Sequence, residues 1–161
     1  MSVRRALVGA ALCASALMLV GCAGSATAEP AVRDTGGAIV AAGDSDVFSL
    51  QVGDCFVEPD IDSVSDVEVV PCDDGFDLQI YNAFAQPGAE YSTDDTLKAQ
   101  ADAGCEPAFD AAIGIAFSDS VLEYRSLVPS EISWNHGDRT ILCAVYDPAG
   151  ASTGTLLGSA R

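Results

Sequence analysis

Cysteine is the residue type with the clearest chemistry in this 161-residue sequence. Four of its six cysteines, Cys55, Cys72, Cys105 and Cys143, lie in the part of the chain that has the composition of a folded domain. Structural zinc sites use cysteines separated by two to four residues, or nearby histidines, and the spacing here is too wide. We therefore predict two disulfides. Four cysteines allow three pairings. We favour Cys55–Cys72, at the ends of two neighbouring strands, and Cys105–Cys143, which would tie a helix to the sheet.

Cys22 stands at the end of a secretory signal pattern. Arg4-Arg5 precede an uncharged apolar run over residues 6–20, which is shorter than the roughly 20 residues that a membrane-spanning helix needs. The run ends in Leu19-Val20-Gly21-Cys22, which resembles the bacterial lipobox, where a small residue precedes a cysteine whose thiol receives a diacylglycerol. We therefore predict a lipoprotein signal peptide over 1–21 and lipidation of Cys22.

Two other outcomes stay open for this segment. Ala26-Thr27-Ala28 fits the small-x-small pattern of ordinary signal peptidase, and cleavage after it would release a soluble protein. The apolar run could also remain uncut as an anchor. An export signal places the chain outside the cytoplasm, where paired cysteines persist.

Catalytic and metal-binding patterns are weak in this sequence. The only histidine, His136, lies on a predicted surface turn, and no Gly-x-Ser-x-Gly motif accompanies it. Among 24 acidic residues some carboxylate pair always satisfies a glycosidase, so such a pair is uninformative. Residues 60–66 resemble a calcium loop, but Ser65 and Pro71 stand where an EF-hand has Gly and Glu. We predict no catalytic residue, no metal ligand and no cofactor, with a weak calcium site as an alternative.

The only tryptophan, Trp134, belongs to the run Ser133-Trp134-Asn135-His136-Gly137-Asp138-Arg139. Trp and Arg dominate binding hot spots, so Trp134, Asp138 and Arg139 are candidate partner-binding residues. The alternative interpretation is structural. In that interpretation Trp134 fills the core, while Asp138 and Arg139 hold the turn through a charge-assisted hydrogen bond.

The elements that must position these residues begin after a polar segment. Residues 22–46 are rich in Ala, Gly, Ser and Thr and contain no aromatic residue, which predicts a flexible tether. Alternating apolar residues over 47–52, 66–70 and 78–84 then predict three strands in an antiparallel meander.

A change of period marks a helical stretch. Ser92 and Asp95 resemble a capping box, and the stretch ends near Gly114, with Pro107 either kinking one helix or starting a second. Ser130 is expected to cap one helical turn through Trp134. Further strands are predicted over 121–128, 139–146 and 153–158.

The charge of the chain excludes two classes of partner. The formal net charge is −17, and two of the seven basic residues lie in the predicted signal peptide. Nucleic-acid binding depends on clustered Lys and Arg, so nucleic acid is excluded. Adhesion to anionic lipid by charge is excluded for the same reason.

Several short motifs, each different, follow one another along the domain. In chain order these are Val52-Gly53-Asp54-Cys55-Phe56, Val70-Pro71-Cys72, Gly104-Cys105, Pro129, Ser133-Trp134, Gly137-Asp138-Arg139, Cys143, Tyr146-Asp147 and Gly154-Thr155-Leu156. The series resembles the actinobacterial septum formation domain family over residues 47–161. Members of that family are typically exported or membrane-anchored. Its name implies a part in cell-division septation and implies no known reaction.

The chain departs from that family after its second domain cysteine. Family members often carry Pro-His and then Glu there, whereas this chain has Gly75, Phe76 and Gln79. A role that depends on that His and Glu would therefore be missing from this chain.

These observations predict an α+β fold, in which a small antiparallel sheet packs against one helical segment and carries two disulfides. We expect a non-catalytic binding or scaffolding module of the cell envelope, attached to the extracytoplasmic face of the cell membrane by lipid on Cys22. Its expected partner is an envelope or division protein. The alternatives are a small carboxylate-dependent cell-wall hydrolase and an extracytoplasmic sensor of a ligand or ion.

Overall fold

One long helix and an antiparallel sheet form most of the structure. The computed structural model describes residues 29–59 and 65–161, so the predicted signal peptide and Cys22 lie outside the described residues. The strands are β1 (Val32–Arg33), β2 (Ile39–Ala41), β3 (Gly43–Asp46), β4 (Cys55–Phe56), β5 (Asp66–Val70), β6 (Leu78–Ala85), β7 (Glu123–Leu127) and β8 (Thr140–Tyr146). The α-helices are α1 (Asp94–Ile113) and α2 (Glu131–Asn135), and short 3₁₀ helices span Val47–Ser49, Cys72–Asp74 and Phe117–Asp119.

The described strands form a six-stranded sheet in the order β3-β5-β4-β6-β8-β7, and every neighbouring pair is antiparallel. β1 and β2 form a separate antiparallel hairpin. The α+β fold with one main helix is therefore confirmed. The predicted meander is wrong in its order, because the two-residue strand β4 lies between β5 and β6.

The strand predicted over 47–52 is not formed. Residues Val47–Ser49 make a 3₁₀ helix, because the Asp46 carboxylate accepts a hydrogen bond from the Phe48 amide at 2.8 Å and turns the chain. The last strand, predicted over 153–158, is also wrong. Gly154 and Gly158 have φ angles of 76° and 69°, which interrupt an extended backbone.

The predicted helical stretch forms one helix. Its N-cap is Thr93 rather than Ser92, and the Thr93 hydroxyl accepts a hydrogen bond from the Thr96 amide at 3.3 Å. Pro107 lies within the helix and does not begin a second one. Gly114 ends the helix at a φ of 90°, in the left-handed conformation that favours glycine.

Both faces of the sheet are buried. Helix α1 packs a stripe of apolar side chains, which recur every fourth residue, against one face: Ala101, Cys105, Phe109 and Ile113. The opposite face packs against Val47 and Leu50 of the segment before β4. Strand β8 contributes side chains to the cores on both faces of the sheet. Ile141 and Val145 face α1, while Leu142 lies in the second core, on the opposite face with Val47 and Leu50.

The N-terminal segment covers part of the second core, which corrects the predicted tether over residues 29–46, while residues 22–28 of that prediction lie outside the described residues. Strand β3 pairs with β5 in the main sheet, and Ala31 and Ile39 of the preceding segment pack against the second core. Gly43 permits this crossing, because a Cβ there would lie 2.5 Å from the Glu29 carbonyl oxygen. The composition of the segment does not indicate this docking, which depends on backbone pairing and one ion pair.

The favoured disulfide pairing is confirmed. Cys55 of β4 is bonded to Cys72, just after β5, and the two Cα atoms are 5.3 Å apart. Cys105 of α1 is bonded to Cys143 of β8, with a Cα separation of 5.5 Å. One bond therefore links adjacent strands, and the other fastens the helix to the sheet.

All four tyrosines have phenols whose pKa is raised, so each should lose its proton at a higher pH than a free tyrosine does. Burial is the main cause at Tyr81 and Tyr124, whereas hydrogen bonds to Asp94 and Glu123 are the main causes at Tyr91 and Tyr146. The pKa of Tyr91 rises to about 12.

The unfolded chain loses its phenolic protons at lower pH than the folded chain. The stability from these contacts is therefore complete below about pH 10 and falls as pH rises through the folded-state values. We expect tyrosinate absorbance to appear above pH 10 in native protein and near pH 10 in denaturant. Coincident titration curves would contradict the described packing.

Candidate functional site

Helix α2 and its flanking turns fix the shape of the surface around Trp134. The Ser130 hydroxyl accepts a hydrogen bond from the Ser133 amide at 3.1 Å and caps the helix. Gly137, at a φ of 98°, reverses the chain into β8. This predicted turn is therefore confirmed, and it sets the orientation of the candidate residues.

Trp134 is an interior residue. Its side chain is 3% exposed, and the indole Nε1 donates a hydrogen bond to the Ala89 carbonyl at 3.3 Å. The Arg139 guanidinium lies 3.9 Å from the centre of the indole ring and donates to the Trp134 carbonyl oxygen at 2.7 Å. This placement fits the structural interpretation of Trp134 and leaves its ring unavailable as a surface anchor.

Asp138 and Arg139 hold the turn through different partners from those predicted. One carboxylate oxygen of Asp138 accepts from the Ser133 hydroxyl at 3.1 Å, and the other accepts from the Thr140 amide at 2.9 Å. Arg139 donates to backbone carbonyls and stacks on Trp134. The predicted charge-assisted bond between Asp138 and Arg139 is therefore wrong. Both residues do hold the turn, but each does so through other partners.

A groove lies beside this turn, between the 3₁₀ helix Val47–Ser49 and α2. Its volume is about 590 Å³. Two large apolar side chains on its edge are exposed, Phe48 at 52% and Ile132 at 75%. The remaining lining is polar and includes Ser65, Ser130, Ser133, His136, Gly137, Asp138, Arg139 and Thr140. Large exposed apolar side chains beside hydrogen-bonding groups make this groove a candidate protein-binding surface.

The sequence indicates Asp138 and Arg139 as candidate partner-binding residues, and both line the groove, but it does not indicate Phe48 or Ile132. The exposure of Ile132 follows from helical geometry. Residues two apart on an α-helix point about 200° apart, so a buried Trp134 places Ile132 toward solvent. No sequence signal identifies Phe48, because the alternating pattern around it predicts a buried strand residue.

A second set of landmarks surrounds the Cys55–Cys72 disulfide. Asp54 is 4% exposed, and its two oxygens accept hydrogen bonds from the Arg33 guanidinium at 2.6 Å each. The Gln51 amide also donates to Asp54 at 2.8 Å. The pairing raises the pKa of Arg33, chiefly through the hydrogen bond to Asp54. This carboxylate therefore fastens the N-terminal hairpin to the loop before β4.

The positions that depart from the family pattern are also structural here. Phe76 is buried in the core between α1 and the sheet. The Gln79 side chain is buried as well, where it donates to the Gly53 carbonyl at 3.2 Å and accepts from the Leu156 amide at 2.7 Å. Gln79 thus joins the loop before β4 to the C-terminal segment.

His136 is exposed at the groove. In residues 29–59 and 65–161, no three His, Cys, Asp or Glu side chains are grouped closely enough to hold a metal ion. The calcium-like segment falls mostly at residues 60–64, outside the described residues. No helix in the described ranges is both long and apolar enough to cross a bilayer.

Comparison with known proteins identifies a family. No curated protein and no solved structure matches this chain. The family model for Septum formation matches residues 52–160, which is more than half of the chain and includes all four disulfide cysteines. The match confirms the resemblance carried by the landmark residues. The chain belongs to the Septum formation family.

Proposed function

We propose that this protein is an exported, membrane-anchored and non-catalytic binding module of the cell envelope that serves septum formation. Family membership supports a role in septum formation. The observation that carries the proposal of a binding module is the groove beside α2, where Phe48 of the Val47–Ser49 helix and Ile132 of α2 expose large apolar side chains on opposite sides.

Hydrogen bonds within the protein hold the turn that forms one side of the groove. Ser130 caps α2, Asp138 is hydrogen-bonded through both oxygens, and Arg139 is stacked on Trp134. A surface that is already ordered loses little conformational entropy on binding, so more of the contact energy contributes to affinity. Exposed Phe48 and Ile132 are then available as apolar contacts for a partner.

The signal pattern and the disulfides support the proposed location at the outer face of the cell membrane. The apolar run ending at Cys22 has the features of a lipoprotein signal, and buried disulfides persist in oxidising compartments. Residues 22–29 reach at most about 25 Å even when fully extended. A lipid on Cys22 would therefore hold residue 29, where the described domain begins, within about 25 Å of the membrane surface.

Fatty-acid labelling in cells tests the anchor. We expect incorporation of an alkyne-tagged fatty acid into the wild-type protein and none into Cys22→Ala. Labelling that persists in Cys22→Ala would contradict lipidation at this residue.

Genetic complementation tests the function. In a strain lacking the gene, we expect fewer or misplaced septa, and we expect wild-type protein to restore them. The double variant Phe48→Ser/Ile132→Ser should fail to restore septa, while Val121→Ser, which alters a 63% exposed valine outside the groove lining, should succeed. Equal membrane levels and equal melting temperatures of the variants control for folding. Normal septa without the gene, or full rescue by the groove variant, would contradict the proposal.

A further inference from the structure

We propose that the groove between Val47–Ser49 and α2 binds a protein segment in which a large apolar side chain stands next to Lys or Arg. This inference rests on the proposed function and specifies the chemistry of the partner. It is carried by two properties of the same surface, the exposed apolar edge and the excess of carboxylates around it.

The described chain has few free cations. Of its residues, 22 are acidic and five are basic. Arg33, Arg125 and Arg161 pair with Asp54, Glu58 and Asp147. Arg139, which lines the groove, stacks on Trp134 and has no carboxylate partner among the described residues, so the groove keeps one positive charge among the acidic groups around it. The resulting negative field attracts a cationic partner and speeds its encounter with the surface.

Carboxylates also flank the apolar edge of the groove. Asp46 precedes the Val47–Ser49 helix and caps it, and Glu131 is an exposed neighbour of Ile132. Asp66 is exposed beside Ser65, which lines the groove. An apolar side chain seated between Phe48 and Ile132 would therefore place an adjacent Lys or Arg among acidic groups.

Other occupants fit this surface less well. A second copy of the chain would bring its own excess of carboxylates to an acidic edge, and like charges facing each other weaken an interface. Residues 23–28 of the chain, Ala-Gly-Ser-Ala-Thr-Ala, have no large apolar side chain. An anionic lipid surface is disfavoured by the charge of the domain. A basic and apolar segment of another protein remains as the occupant that matches both properties.

Calorimetric titration with three synthetic peptides tests the proposal on the full-length protein purified from its own membranes. The first peptide has one tryptophan between two lysines, the second replaces tryptophan with glycine, and the third replaces both lysines with glutamate. We expect the first peptide to bind at least tenfold more tightly than either of the others, and its affinity to fall as salt is raised.

Variants of the groove test whether the peptide binds there. We expect Phe48→Ser/Ile132→Ser to lose at least tenfold in affinity for the first peptide, while Val121→Ser keeps the wild-type value. Equal binding of the three peptides, preference for the glutamate peptide, or no loss in the groove variant would overturn the proposal. Dimerisation of the free protein that the groove variant abolishes would also overturn it, in favour of a second copy. If the groove variant fails in complementation while the peptides bind alike, the proposed function survives and the partner chemistry is wrong.

Discussion

Replacement of Cys105 and Cys143 by alanine is expected to lower the free energy of unfolding by about 4 kcal/mol. The bond closes a loop of 38 residues, and cross-linking such a loop restricts the unfolded chain by about that amount. Both cysteines are fully buried where α1 meets β8. Since small domains are stable by only about 5–15 kcal/mol, this loss is a large share of the total.

Urea unfolding followed by circular dichroism measures this loss. Cys55→Ala/Cys72→Ala is the matched control, because its shorter loop of 17 residues predicts a loss of about 3 kcal/mol. Each double variant leaves the other bond in place, so no unpaired cysteine is created in the domain. A change below about 1 kcal/mol in the Cys105 and Cys143 variant would contradict the bracing role of this bond.

Removal of the Arg33 side chain should cost about 3 kcal/mol of stability. Asp54 is almost completely buried, and without Arg33 its carboxylate would keep only the Gln51 amide as a hydrogen-bond partner. A buried charge that loses its partner typically costs 3–5 kcal/mol, and the partial exposure of Arg33 places this pair at the low end. We also expect faster amide exchange in the β1–β2 hairpin.

The exposed pair of Arg125 and Glu58 provides the control for this variant. Both of its side chains are 46% exposed, so Arg125→Ala should cost less than about 1 kcal/mol. In a double-mutant cycle, Arg33→Ala/Asp54→Ala should cost less than the sum of the single changes. Equal losses for Arg33→Ala and Arg125→Ala would show that the hairpin is not held by Asp54.

The main helix and the buried faces on which Cys105 and Cys143 lie are predictable because they depend on local patterns, whereas the choice among the three pairings depends on how the helix packs on the sheet. The apolar residues of α1 recur at helical spacing, and Cys105 shares that stripe, which places its sulfur against the sheet. Cys143 alternates with Leu142 on a strand that has clear β-propensity, so its face is also predictable. Such features require no knowledge of distant contacts.

The N-terminal hairpin is not predictable in this way. Its attachment depends on Arg33 meeting Asp54, 21 residues later, and on backbone pairing of β3 with β5. A segment rich in Ala, Gly and Ser has no hydrophobic period that would indicate such docking. The sequence pattern therefore places the start of the folded domain at residue 47, whereas the structure has the strand β1 already at Val32.

The candidate site is predictable in part. The run from Trp134 to Arg139 indicates a turn with candidate partner-binding residues, and in the structure Asp138 and Arg139 line the groove. The contribution of Phe48 depends on the 3₁₀ helix that Asp46 caps, and this local hydrogen bond overrides the strand-like alternation around it. Its exposure therefore becomes evident only from the folded chain.

Site-specific photo-crosslinking in living cells tests most directly whether this protein is a binding module of the envelope. A photoreactive amino acid at Ile132 lies on the groove edge, and one at Val121 lies outside its lining with similar exposure. We predict a discrete adduct from Ile132, absent from Val121, whose second component is an envelope or division protein exposed outside the cytoplasm. Equal adducts from the two positions, or a cytoplasmic protein as the main adduct at Ile132, would contradict this account.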